Sequence, residues 1–205
     1  MKTYPVMLDL AGRRCVVVGA GAIGRRRAEA LAQAGADVHL VDPAAADAPP
    51  AGVHLLREPY RRSMLRGALL VFACTDTPAL NRQIAEDARA VGALVNVADD
   101  PELCDFLTPA VIRRGEVTVA VGTGGAAPAL TAELKQTLAA ALPPRVGEFA
   151  AALGQVRRLL RDRSLGPELR RRVLRKLAGP AGRQRFAAAG VEGLLQLARE
   201  DIEAS

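Results

Sequence analysis

The chain has 205 residues, half of them hydrophobic, enough to bury a real core and to carry a second small unit. Tryptophan is missing and aromatics are scarce, which argues against base-stacking surfaces for single-stranded nucleic acid, and no apolar run is long enough to span a bilayer. The net charge of +6 lies wholly in one region: residues 1–144 carry 15 basic and 15 acidic side chains, residues 145–205 carry 13 and 7.

Tyr4 to Leu10 (YPVMLDL) reads as a lead-in segment that caps the sheet edge. The β-branched run Cys15 to Val18 predicts one buried strand of a parallel sheet. Gly19, Gly21 and Gly24 follow in G-x-G-x-x-G spacing, then an alanine-rich helix through Ala28, Leu31 and Ala34 that Gly35 ends. Val38 to Val41 predict a second strand with Asp42 at its tip. The spacing has a chemical reason. The first glycine permits a tight turn, the second lets backbone reach a pyrophosphate, the third allows close helix–strand packing, and the helix start offers N–H groups to phosphate. A strand before, a helix after and an acid about 20 residues on are the context that a dinucleotide site requires. The Asp42 carboxylate can accept from ribose hydroxyls and repels a 2′-phosphate, which favours NAD over NADP; the alternative is an aspartate that merely starts the turn at Pro43.

Residues 43–52 read as a turn-rich loop, Val53 to Leu56 as a third strand, and Tyr60 to Arg66 as a short helix or turn. Ala68 to Ala73 is a buried strand ending in C-T-D-T-P, where Asp76 or Thr77 caps a helix begun by Pro78 and running to Gly92. Leu94 to Val97 is another strand, ending at Ala98-Asp99-Asp100-Pro101. This alternation predicts an α/β fold, a Rossmann-like doubly wound parallel sheet. After residue 113 the character changes. Glu116 to Val121 alternates like a strand, Gly122 to Gly125 make a turn, and Pro128 begins a helix carrying Leu130, Leu134 and Leu138. Helices at about 145–163, 167–178 and 181–203 follow, broken at Gly-Pro pairs. The expected organisation is a dinucleotide-binding domain (1–113), a small strand–helix dimerisation region (114–144) and a helical C-terminal domain (145–205).

In open α/β sheets ligands bind beyond the carboxyl ends of the strands, so the glycine loop, Thr75-Asp76 and Asp99-Asp100 should gather there. Partial burial of two adjacent carboxylates would raise one pKa, making it a proton acceptor or a metal-facing group; the alternative is a helix cap or turn. Cys15, Cys74 and Cys104 show no zinc-ligand spacing, and Cys15 and Cys74 read as core residues. No secretory pattern opens the chain, so a soluble cytoplasmic protein is expected.

The run TDTPALNRQIAEDARAVGALVNVADDPELCDFLTPA resembles the precorrin-2 dehydrogenase family, standalone enzymes and N-terminal parts of siroheme synthase that convert precorrin-2 to sirohydrochlorin. The opening YPVMLDLAGRRCVVVGAG, the VAVGTGGAAPAL segment and LPPRVGE resemble it too; the likeness covers about residues 4–160, and V-N-V-x-D-x-P is its most specific part. The chain departs from the family's usual G-G-G-x-V-A, with G-A-G-A-I-G instead. The resemblance implies that Asp99 is catalytic, that NAD is held by the glycine loop, Ala22-Ile23 and Asp42-Pro43, and that the protein is a homodimer. Thr75 and Asp76 complete the expected cofactor set. The implied substrate is a tetrapyrrole rich in carboxylates, which would suit Arg113, Arg114 and the tail arginines, and the helix start at Pro128 behind Thr123 and Gly124. Some family members also insert Fe(II) into the product, and the metal would then be a substrate; no resident metal site is expected. The methyltransferase domain of full siroheme synthase is expected to be absent, since the sequence ends at Ser205. The rival readings are an NAD-sensing regulatory domain without catalysis and a redox-sensing DNA binder. R-R-R-V-L-R-K, which lacks Asn and Gln, speaks against a recognition helix.

Overall fold

Five short apolar runs pair in parallel: β1 (Arg14–Val18), β2 (Asp37–Val41), β3 (Val53–Leu56), β4 (Leu70–Ala73) and β5 (Leu94–Val97), in the order β3-β2-β1-β4-β5. The computed structural model describes residues 3–161 and 165–204. The runs are continuous rather than alternating because both sheet faces are covered. Successive residues of β1 go to opposite faces: Val16 and Val18 join Val41, Val71 and Val95 under Ile84, Ala85 and Ala88 of α2 (Pro78–Ala90). Cys15 and Val17 join Val38, Leu40, Leu70 and Phe72 under Ala28 and Leu31 of α1 (Ala22–Gln33). Each buried Val, Leu, Ile or Phe among them contributes about 1.5–3 kcal/mol. The strand order reverses between β1 and β4, and that switch point is where the carboxyl edge opens to a ligand.

The lead-in segment does not cap a sheet edge. Tyr4, Val6, Met7 and Leu8 are exposed, and only Leu10 enters the core, beside Cys15 and Val17. The reason is topological: the segment turns at Leu10–Arg13 straight into β1, the central strand, whose two neighbours are already paired. The outer edge of β5 is met instead by the chain returning after it. The Asp105 N–H donates to the Val95 carbonyl (2.8 Å), and the Val95 N–H donates to Asp105 Oδ2 (3.0 Å).

The chain divides into two compact units, residues 1–108 with 124–126, and residues 109–123 with 127–205. In the second, β6 (Ala110–Arg114) and β7 (Val117–Val121) form an antiparallel hairpin about Gly115, at φ +55°. The sequence reading found β7 but not β6, whose two arginines interrupt the apolar pattern, so its boundary after 113 passes through this hairpin. Helix α3 (Pro128–Ala141) buries none of its residues. Helices α4 (Val146–Arg161), α5 (Pro167–Ala178) and α6 (Pro180–Glu203) share a core of Val156, Leu160, Val173, Leu177, Phe186, Leu194 and Leu197. Gly147 meets the Arg114 carbonyl so closely that a Cβ would overlap it, which seats α4 directly on the hairpin. The last helix is not the single rod expected over 181–203: it kinks at Ala189–Gly190, with Gly190 at φ +58°. Residues 162 and 163 of the helix expected over 145–163 lie outside the described residues. No helix among those described is long and apolar enough to cross a membrane.

Candidate functional site

The glycine loop is closed by packing at two points and open at the third. Gly19 leaves β1 at φ +101°, its N–H donating to the Val41 carbonyl (2.8 Å), and a Cβ there would overlap the Cys74 carbonyl. Gly24 is buried in the first turn of α1, where a Cβ would overlap the Gly19 carbonyl oxygen. Gly21 is the exposed N-cap between them, and nothing lies within 4 Å of where its Cβ would stand. Helix α1 starts with no side-chain cap and no acid in its first turn, and Ala22 and Ile23 are exposed there. A concavity that a side chain would fill, lined by unclaimed N–H groups, fits a pyrophosphate.

Asp42 closes this loop from β2. Its Oδ2 accepts the Ala20 N–H (2.7 Å) and its Oδ1 the Ala44 N–H (2.8 Å), so the carboxylate both ties the loop and makes the turn through exposed Pro43. The two sequence readings of Asp42 are therefore compatible, since each oxygen keeps a second acceptor position.

Thr75, after β4, is gripped by a residue that the sequence reading missed. Buried Asn81 accepts from the Thr75 N–H (3.2 Å) and hydroxyl (2.7 Å) and donates to the Thr75 carbonyl (2.9 Å). Neither Asp76 nor Thr77 caps α2 with its side chain; the Thr77 hydroxyl donates to exposed Asp76 instead (3.1 Å). The signal for Asn81 was present as an amide at the fourth helical position, close enough in sequence to reach back to the strand end.

Asp99 stands apart. Its φ of +61° makes it the one non-glycine in the left-handed region among the described residues, its carboxylate is exposed, and it has no hydrogen-bond or ion-pair partner among them. Such a conformation costs of order 1–3 kcal/mol and persists only where the surroundings impose it. Here Cys104 imposes it. Its buried sulfur accepts the Val97 N–H (3.2 Å) and lies 3.2 Å from the Asp100 carbonyl, pinning both ends of the turn. Buried Asn96 donates to the Phe106 carbonyl (2.9 Å), and Arg89 Nε to Asp105 Oδ1 (3.1 Å). Burial pushes the Cys104 thiol up, so it stays a neutral staple. The half-buried carboxylate pair expected from the sequence is met only at Asp100; Asp99 faces solvent in the isolated chain.

The glycine loop, Asp42, Thr75-Asp76 and Asp99 thus sit at the carboxyl ends of β1, β2, β4 and β5. Arg113, Arg114 and Thr123 belong to the second unit. Both arginines are exposed, and as neighbours in β6 they project to opposite faces, so one ligand cannot meet both from the same side. The Thr123 hydroxyl accepts the Ala127 N–H (3.1 Å) and contacts the Thr131 hydroxyl (3.1 Å), a turn that leads into α3. Gly124 takes the left-handed conformation, φ +64°. Among the described residues no group of three or more His, Cys, Asp or Glu could hold a metal ion.

Residues 6–110 match the family described as "Putative NAD(P)-binding", a span that contains every element of this edge. The chain belongs to that family. The match of this NAD(P)-binding chain to curated proteins extends well past residue 110. It is 35% identical to the siroheme synthase of Nitrosococcus oceani over 211 residues, covering 98% of this chain and 44% of that protein. It is likewise 35% identical to siroheme synthase 1 of Halorhodospira halophila, covering 97% and 43%. The chain spans less than half the length of these relatives. Among solved structures, SirC, a precorrin-2 dehydrogenase, superposes with a TM-score of 0.78 over 97% of this chain and all of that one, at 24% identity, which establishes a shared fold.

Proposed function

We propose that this chain oxidises precorrin-2 to sirohydrochlorin with NAD as the electron acceptor. The observation that carries the proposal is Asp99: an exposed carboxylate, without a hydrogen-bond or ion-pair partner among the described residues, held in a left-handed turn at the carboxyl edge of β5, within electrostatic reach of Cys74 beside the glycine loop. Relatives named siroheme synthase and a structural neighbour named precorrin-2 dehydrogenase support the choice of substrate. Dehydrogenation removes a hydride and a proton, and the bound dinucleotide supplies the hydride acceptor.

The chain's own residues do the rest. Gly19, Gly21 and Gly24, with the N–H groups of Ala22 and Ile23, hold the pyrophosphate; Asp42 and Pro43 border the adenosine ribose; Thr75 and Asp76 border the nicotinamide end. Asp99 takes the proton that the substrate loses, and its exposure leaves it accessible to a large ring. Gly124, Thr123 and one of Arg113 and Arg114 meet substrate carboxylates. If the protein also inserts Fe(II), the same carboxylate receives the pyrrole N–H protons. The assay is anaerobic incubation of the protein with NAD and precorrin-2. NADH and sirohydrochlorin should rise together; NAD binding without turnover would favour a regulatory nucleotide sensor.

A homodimer belongs to this reading. Leu130, Leu134 and Leu138 recur every fourth residue of α3 and are 46%, 38% and 39% exposed, a stripe that a second copy of the chain would cover, as expected for a dimerisation region over 114–144. Leu134→Glu should shift the protein from dimer to monomer in analytical ultracentrifugation.

A further inference from the structure

Helix α1 buries Gly24, Ala28 and Leu31 against the sheet. Arg27, three residues after Gly24 and four before Leu31, falls in the same stripe. An arginine is out of place there, in a helix whose close approach to the sheet otherwise relies on glycine and alanine. Arg27 is half-buried and has no hydrogen-bond or ion-pair partner among the described residues, whereas Arg25 donates to the Ala48 carbonyl and Arg26 is exposed. Burial of a charge is unfavourable unless an opposite charge meets it. Burial accordingly holds the Arg27 guanidinium below its usual range, repulsion from Arg26 adds to this, and Cys74 opposes it.

The neighbours say which part of the edge Arg27 serves. Cys74 follows β4, its thiol pushed up to about 11 by burial, with Arg27 lowering it and Asp99 raising it. One thiol therefore feels both the guanidinium and the Asp99 carboxylate. Side chains on a helix lean toward its N-terminus, so Arg27 reaches back toward the level of the glycine loop. β1 lies between β2, which carries Asp42, and β4, which carries Cys74. Asp42 marks the adenosine side; Cys74 and Asp99 mark the opposite, reacting side.

We propose that Arg27 binds a carboxylate of the acidic substrate at the reacting end of the site. The inference rests on the tetrapyrrole reading above and adds a residue to it. The other anion at hand is the cofactor pyrophosphate. That group has its own donors in the backbone N–H groups of the glycine loop and the start of α1, which no side chain caps. A substrate carboxylate gives the half-buried cation the partner that it lacks among the described residues, in the bidentate geometry to which a guanidinium is suited.

The test uses Arg27→Gln, Arg27→Met, which keeps the apolar stem, and Arg27→Lys in the full chain. Three quantities are measured: sirohydrochlorin binding by absorbance titration, NAD binding by calorimetry, and kcat and KM for precorrin-2. The Gln and Met variants should bind sirohydrochlorin about tenfold more weakly or worse, raise KM in proportion and leave NAD affinity unchanged. Lys should restore part of the loss, because it keeps the charge but not the bidentate fork. Melting temperature should hold or rise, because an unpaired half-buried charge is removed. Unchanged tetrapyrrole affinity in both neutral variants, with a wild type that turns over, would overturn the inference and leave the function intact. A loss confined to NAD affinity would overturn it in favour of a cofactor phosphate. A wild type that binds NAD but no tetrapyrrole would overturn the proposed function, and this inference with it.

Discussion

The glycine loop and the Asp99 loop end neighbouring parts of the same sheet and are built on opposite principles. The first is defined by what is missing: Gly19 and Gly24 lack a Cβ because backbone fills that space, and Gly21 lacks one where a ligand would enter. The second is defined by hooks. Cys104, Asn96 and Asp105 hold a turn in which a non-glycine residue takes a conformation that glycine would adopt freely. A pyrophosphate is recognised by backbone N–H groups, so nearly any sequence with the right absences serves. The proposed proton abstraction requires one carboxylate at one place, and the turn at Asp99 tolerates strain to hold one there.

The largest expected effect tests that contrast directly. Asp99→Ala should slow dehydrogenation by roughly 10²–10⁴ while NAD affinity and fold stay near wild type, measured by single-turnover NADH formation and calorimetry. Asp100→Ala, which keeps the Asp100 carbonyl that Cys104 and Leu103 use, should cost far less. Wild-type turnover by Asp99→Ala would reduce Asp99 to a turn residue.

Gly24→Ala attacks the other loop through packing. Its methyl would overlap the Gly19 carbonyl oxygen, which is backbone and cannot rotate away, so stability should fall by about 3 kcal/mol, with NAD binding lost alongside. Urea denaturation with and without NAD separates the two losses.

Asp42→Ala is milder, because the carboxylate assists a loop that glycines already shape. NAD affinity should drop by about 1–3 kcal/mol, and preference over NADP should shrink. Equal wild-type affinity for NAD and NADP would remove the ribose assignment.

The smallest effect sharpens the comparison most. Asp99→Gly should match Asp99→Ala in lost activity yet gain about 0.5 kcal/mol of stability over it, since glycine relieves the left-handed strain net of its greater freedom when unfolded. Equal stability of the two variants would mean that the turn stores no strain.

Each of the five strands was legible from its apolar run, most plainly β1 and β4, since a strand buried on both faces needs no partner pattern to be recognised. The glycine loop was legible for a related reason: its geometry is local, and Gly19, Gly21 and Gly24 lie within six residues of one another. β6 was hidden because Arg113 and Arg114 interrupt its pattern, and the kink in α6 because Gly190 sits in a run of helix formers that carries no proline. The exposed lead-in looked like sheet-edge cover because Val6 and Leu8 are apolar, and composition alone does not reveal that the strand they join is the central one.

The sequence by itself determined the order of strands and helices, the position of the glycine turn and the acid at the tip of β2, all consequences of period, glycine spacing and short-range sterics. Only the tertiary structure decided that Asn81 grips Thr75, that Cys104 rather than Asp100 shapes the Asp99 turn, and that Arg27 sits half-buried in the α1 stripe with no hydrogen-bond or ion-pair partner among the described residues. Those are contacts between strand ends, loops and helix faces, where a side chain's role depends on what the fold brings beside it and not on its neighbours in the chain.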